Sequence, residues 1–224
     1  MDISADLRSR LRAVVAQRME TDPAHDLAHL DRVWVNARAI SDDQTDMTVL
    51  LAASYLHDLV NLPKDDPDRH LASRKSASES VPILSGFGFS CAQVDATKHA
   101  IEAHSFSANI PPETSEARIL RDADRLDALG AIGIARNFSV SGALGRTLYD
   151  AADPFAADRA LDDLHYSLDH WKVKLLSLSD DMLTETGRQI AKARTARMIR
   201  FLHEFAEEIG SDLPRTWING DATG

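Results

Sequence analysis

The 224 residues carry 25 Lys+Arg against 35 Asp+Glu, a formal charge of −10, with a single cysteine. At 44% hydrophobic and 27% charged, the composition is that of a folded globular chain and excludes a disordered one. One cysteine, Cys91, excludes an intrachain disulfide framework and a Cys-rich zinc module. The acidic balance argues against a broad surface for nucleic-acid phosphates and suits a site that holds a cation.

No apolar run approaches the roughly 18 residues of a membrane helix. The N-terminus lacks the basic start, apolar middle and cleavage site of a signal peptide. The expectation is a soluble, cytoplasmic protein without membrane or nucleic-acid partners, a monomer or homodimer.

Apolar residues recur at intervals of three and four, and no β-like alternation is sustained. The pattern predicts helices near 3–19, 25–41, 46–60, 70–85, 90–104, 114–129, 131–140, 157–178 and 184–209. Pro63, Pro67, the Gly-Phe-Gly at 86–88, Pro111-Pro112 and Pro154 fall between them. Ser90 and Thr114 suit N-caps. The tail from Gly210 reads as frayed or loosely docked. Without a repeat or a composition shift, the reading is one all-α domain.

The informative residues are ionisable groups that the helical period turns inward, because a buried charge needs a partner. Over 24–40, Leu30, Val33, Trp34, Ala37 and Ile40 form the core face. His29 lies at its flank, and His25 precedes it by four on the same side. Alone, such a pair is a weak metal signal. Residues 49–60 are apolar nearly all round and predict a central buried helix that carries His57 and Asp58. A core histidine bonded to a carbonyl and a metal-ligand pair both fit.

Over 95–114, His104 shares a side with Val94, Thr97 and Ile101, while His99 points elsewhere. His104 reads as a site or a core histidine. Over 117–130, Ile119, Leu120, Ala123 and Leu126 form the core face. Asp127 falls inside its arc, Asp124 at its edge, and Asp122 on the far side near Arg121 and Arg125. Salt-bridged structural aspartates and site carboxylates both remain open. Imidazoles and carboxylates turned inward from four helices are how bundles build metal sites.

His29, His57-Asp58 and Asp124, in that order on separate predicted helices, match the H…HD…D pattern of the HD-domain superfamily of metal-dependent phosphohydrolases. The segments HDLAHLDRVW, LAASYLHD, IEAHSFSA, DADRLDALGAIGIAR, DHWKVKLL and TETGRQIAKAR extend the likeness. Over roughly residues 20–205 the chain resembles the small stand-alone bacterial HD hydrolases of the YedJ type. The resemblance implies a single-domain helical bundle of the HD type over 1–224, with its core region at about 20–130. Helices at about 131–209 would complete the fold, followed by a tail at 210–224.

It also implies that His29, His57, Asp58 and Asp124 ligate a divalent cation: manganese first, with magnesium, cobalt or nickel as alternatives. Dinuclear members supply further histidines from the interval that holds His99 and His104; a single metal is the expectation here. The implied activity is phosphohydrolysis of nucleotides, foremost of (deoxy)nucleoside triphosphates to monophosphate and pyrophosphate. The alternatives are a phosphomonoesterase, a cyclic-nucleotide phosphodiesterase, a nucleotide-binding HD module without turnover, and the di-iron oxygenases of the superfamily.

A metal lowers the pKa of bound water and offsets phosphoryl charge. Asp58 would ligate with one oxygen and orient that water with the other. His104 or His25 would transfer protons, and Asp127 would support a ligand. An acidic chain needs local cations for a polyphosphate. Arg125, Lys174 and Arg188 are the candidates, with Lys172, Arg194 and Arg197 nearby in sequence, against the alternative of plain solvation or ion pairing. Residues 137–150 read as a lid or an ordinary loop. Tyr149, Tyr166 and Trp171 read as base-stacking or core aromatics.

Overall fold

The computed structural model describes residues 3–18, 26–62 and 66–218. Regular structure among them is all helical, with one isolated parallel bridge between Thr147 and Tyr166 and no strand. No helix among the described residues is long and apolar enough to cross a membrane. The chain folds as two compact units, residues 1–124 and 125–224.

The first unit holds α1 (Ile3–Ala16), α2 (Leu27–Ile40), α3 (Met47–Leu56), α4 (Ala72–Gly86) and α5 (Cys91–His104). It also holds most of α6 (Ser115–Leu126). The apolar α3 is central as predicted. It touches α1, α2, α4 and α5, and every residue from Val49 to Leu56 is buried. Its N-cap, Asp46, accepts from the N–H groups of Thr48 and Val49. Ser90 caps α5 in a reciprocal box with Gln93, and Thr114 accepts from the Ala117 N–H at 3.2 Å.

A cluster that periodicity does not reveal joins α1, α2 and α3. The Tyr55 hydroxyl donates to Asp31 at 2.6 Å, and Arg8 and Arg12 donate to the same carboxylate at 3.0 and 3.1 Å. Burial, then the hydrogen bond to Asp31, pushes the Tyr55 hydroxyl up to about 12. Asn36 donates to the Ala123 carbonyl at 3.0 Å, a direct bond from α2 to α6.

Helix α3 ends four residues earlier than predicted. His57 is its C-cap, with its N–H still on the Ala53 carbonyl at 3.0 Å. The His57 ring takes the Ser54 carbonyl at 3.1 Å, an acceptor that the next helical N–H would otherwise use. The His-Asp pair therefore sits at a helix end and not inside a helix.

The second unit holds α7 (Gly130–Ala143), α8 (Asp169–Val173), a 3-10 stretch (Leu175–Asp181) and α9 (Glu185–Glu208). Trp171 is fully buried with Phe138 and Phe201, at ring centroid distances of 5.9 and 5.7 Å. The helix predicted over 157–178 gives way to an irregular segment before α8. Asp153 accepts from the N–H groups of Ala157, Asp158 and Arg159. Arg159 forks onto the fully buried Asp169 at 2.5 and 2.9 Å, and the Asp162 N–H joins it at 2.7 Å. Aspartates that bond the local backbone compete with a helix, and here they win.

Of the segment 137–150, residues through Ala143 belong to α7. The rest is tied down by Thr147, whose N–H meets the His165 carbonyl and whose carbonyl accepts from Ser167. The aromatics considered for base stacking are engaged inside this unit. Trp171 is core, Tyr149 meets Phe205 edge-on, and Tyr166 lies under Arg159 and donates to Asp150.

Candidate metal centre

In the first unit, three imidazoles and two carboxylates converge. His29 sits in the first turn of α2, held there by the Asp26 cap, which accepts from the His29 N–H at 2.8 Å. His57 and Asp58 follow α3, His104 is the last residue of α5, and Asp124 is in α6. His29 Nε2 lies 3.5 Å from Asp124 Oδ1 and 3.8 Å from Asp58 Oδ2. His57 Nε2 lies 3.5 Å from Asp58 Oδ2 and 3.9 Å from Asp124 Oδ1. His104 Nε2 lies 3.7 Å from Asp58 Oδ1. One atom each from His29, His57 and Asp124 fall within 4.8 Å of one another, as do those from His57, Asp58 and His104.

His57 decides what this arrangement is for. A carbonyl only accepts, so the bond to Ser54 puts the ring proton on Nδ1 and leaves a lone pair on Nε2. That atom is buried without a hydrogen-bond partner among the described residues and faces carboxylate oxygens. Lone pairs facing lone pairs in a buried place need a proton or a cation between them. Burial pushes the His57 imidazole down to about 4 against the pull of Asp58, so the proton is not held at neutral pH. The donor set fits a divalent cation, with each of two histidines oriented through its other nitrogen. His104 repeats the device, its Nδ1 on the Ile101 carbonyl at 2.6 Å. Burial opposes its charged form, but the hydrogen bond and charge of Asp58 outweigh that and raise it.

His29, His57, Asp58 and Asp124 thus come together, and His104 joins them. Sequence reasoning assigns His104 a proton-transfer role; its place at the end of α5 also makes it a donor facing Asp58. His99 does point elsewhere, its Nε2 accepting from the Glu113 N–H at 3.0 Å. His25 lies outside the described residues. The reading of Asp122 is corrected: it is fully buried, whereas Asp124 stays partly exposed. From Ile119 onward α6 is buried nearly all round, so burial reaches beyond the apolar face that a helical wheel marks. Asp127 is buried and paired with Arg136 at 2.8 Å in the second unit.

Of the candidate phosphate cations, Arg125 donates to the carbonyl and carboxylate of Asp181 at 3.0 and 2.8 Å. Arg188 donates to Glu185 and to the Met182 carbonyl, both at 2.8 Å. Lys174 is exposed where α8 ends.

Comparison with known proteins agrees with this centre. The HD domain family matches residues 26–129, which contain all five residues. YpgQ of Bacillus subtilis is 33% identical over 191 residues, 83% of this chain and 84% of its own. The crystal structure of Bacillus subtilis YpgQ in complex with ADP superposes with a TM-score of 0.70 at 28% identity, covering 92% of this chain and 96% of that one. An HD-superfamily hydrolase from Bacillus thuringiensis superposes with a TM-score of 0.71 at 29% identity, covering 93% of this chain and 100% of that one. The convergent His/Asp cluster and these likenesses together place the chain in the HD-domain family, as an all-helical HD-superfamily hydrolase related to YpgQ.

Proposed function

We propose that this chain, acting as one HD domain of the small stand-alone type, hydrolyses (deoxy)nucleoside triphosphates to monophosphate and pyrophosphate with a divalent cation, manganese first. The observation that carries the reading is the buried Nε2 lone pair of His57 among carboxylate oxygens. The ADP bound to YpgQ supports a nucleotide as the ligand class.

His29, His57, Asp58 and Asp124 would hold the cation. When bound, it lowers the pKa of water and offsets phosphoryl charge. Asp58 directs one oxygen toward His29 and His57 and the other toward His104, so it can orient a water while engaged with the histidines. His104, whose protonated form Asp58 favours, is the residue to pass a proton to the leaving oxygen; His25 is the second candidate. Arg125, Lys174 and Arg188 are the proposed phosphate cations. Arg125 and Arg188 would exchange Asp181 and Glu185 for phosphate oxygens.

The test uses metal-stripped protein, a nucleotide panel with and without manganese, and Asp58→Ala alongside. Manganese-dependent pyrophosphate release, lost in Asp58→Ala, is the expected result. Orthophosphate release instead would assign a phosphomonoesterase. No turnover with manganese bound would overturn the hydrolase reading in favour of a binding module.

A further inference from the structure

The chain has seven Phe, three Tyr and three Trp, all among the described residues, and only Phe106 is exposed. Its exposure is 81%, the largest of any exposed large hydrophobic residue in the described chain. A single exposed apolar side chain usually needs no explanation. This one differs in place and in mounting. It follows His104 by two residues, a span of at most about 7 Å of backbone.

Phe106 opens a 3-10 turn, Phe106–Ala108, which touches both the end of α5 and a second 3-10 turn, Arg69–Leu71. The turn closes through the Asn109 N–H on the Phe106 carbonyl at 3.3 Å, with Asn109 in the left-handed region at φ 50°. The hydroxyls of Ser105 and Ser107 meet at 3.0 Å across it. The Ser73 hydroxyl donates to the Glu102 carbonyl at 3.2 Å, which fixes the end of α5 against α4. The ring is therefore held in water by a built turn beside the metal centre, while the other aromatics are buried or half-buried.

We propose that Phe106 is the stacking platform for the nucleobase of the substrate, the residue that distinguishes a nucleotide from a bare polyphosphate. The inference rests on the nucleotide reading above. Phosphates held at the His/Asp cluster leave the base to extend away from it, and a flat apolar face nearby is what a base meets most favourably. Stacking is tolerant of base identity, so the platform would favour purines over pyrimidines without selecting one base.

The test is equilibrium binding of ADP, CDP and inorganic tripolyphosphate to the manganese-loaded protein, for wild type, Phe106→Ala and Phe106→Trp. Loss of one stacked base weakens binding by roughly tenfold. Phe106→Ala is expected to lose about that for ADP, less for CDP and none for tripolyphosphate, and Phe106→Trp is expected to retain ADP. ADP bound equally by wild type and Phe106→Ala overturns the platform and leaves the nucleotide reading intact. A parallel loss of ADP and tripolyphosphate also overturns it, because the damage then lies at the phosphates. A wild type that binds tripolyphosphate but no nucleotide overturns the nucleotide reading, and the platform with it.

Discussion

Replacing Asp58 by Asn separates a metal centre from a set of structural ion pairs. Asp58 is the hub of the cluster, with its oxygens at 3.5, 3.8 and 3.7 Å from the Nε2 atoms of His57, His29 and His104. A ligand bound only by the folded chain, at a thousandfold excess over its Kd, stabilises by about 4 kcal/mol. For a chain of this length each kcal/mol moves Tm by about 2–4 °C, so manganese should raise the wild-type Tm by about 8–16 °C. Removing even an outer partner of a metal ligand costs up to about 100-fold in affinity, and loss of a direct donor costs at least that. The same manganese then stands at about tenfold excess, which leaves about 1.4 kcal/mol, or about 3–6 °C.

The assay is thermal unfolding of metal-stripped wild type and Asp58→Asn, with and without manganese. Structural ion pairs make a different forecast: Asp58→Asn lowers Tm equally in both conditions, and manganese raises neither. That pattern, or a full manganese shift retained by Asp58→Asn, would refute the assignment of Asp58 as a ligand.

Three further outcomes follow from the second unit. Asp169→Asn should cost about 1.5–3 kcal/mol in urea unfolding, because it removes the charge from a fully buried carboxylate that accepts two bonds from the partly exposed Arg159; a loss below about 1 kcal/mol would show that the fork contributes little. Gly133→Ala should destabilise by about 1–3 kcal/mol, since its Cβ would run into the Ala128 backbone carbonyl, whereas Gly142→Ala, with nothing within 4 Å, should stabilise by about 0.5–1 kcal/mol; equal effects at the two glycines would refute the steric reading. Hydrogen bonds from the Asp158 and Ala157 N–H groups hold the Asp153 carboxyl below its ordinary 3.8. A depressed folded pKa gives stability that is present above 3.8 and lost as pH falls through the folded value. Amide-exchange protection at Ala157, Asp158 and Arg159, measured by mass spectrometry, should therefore persist at pH 5 and collapse below about 3.8; protection that survives full protonation would mean that Asp153 does not hold the segment.

The central α3 was legible because Val49–Leu56 carries almost no polar residue, and the start of α5 because Ser90 suits an N-cap. Misreadings fell where side chains and not period decide the backbone. Residues 157–168 have helical composition, but Asp153, Asp162 and Asp169 use their carboxylates on nearby N–H groups and on Arg159. The order of His29, His57-Asp58 and Asp124 pointed to one cluster, and the structure brings these side chains together. The inward turn of Asp122 was not legible, because periodicity marks only the apolar face. Nor did spacing distinguish Phe106 from the other aromatics: only the fold shows which of them it leaves in water.

The placement of two of the histidines explains why a helical wheel finds the cluster but not its logic. His57 caps α3 and His104 closes α5, and each ring donates from Nδ1 to the carbonyl three residues earlier. At a helix end that carbonyl lacks its usual partner, so one bond does two things. It satisfies an orphan acceptor in a buried setting, and it turns Nε2 toward Asp58, in His57 as a bare lone pair. Asparagine keeps the first role, because its side-chain amide can still donate to the carbonyl, but it cannot present a second nitrogen. His57→Asn should therefore unfold within about 2 kcal/mol of wild type in the absence of metal while losing the manganese-dependent rise in Tm. If it loses fold and manganese response together, the carbonyl bond is not what orients the ring. If it keeps the manganese response, Nε2 of His57 is not a ligand.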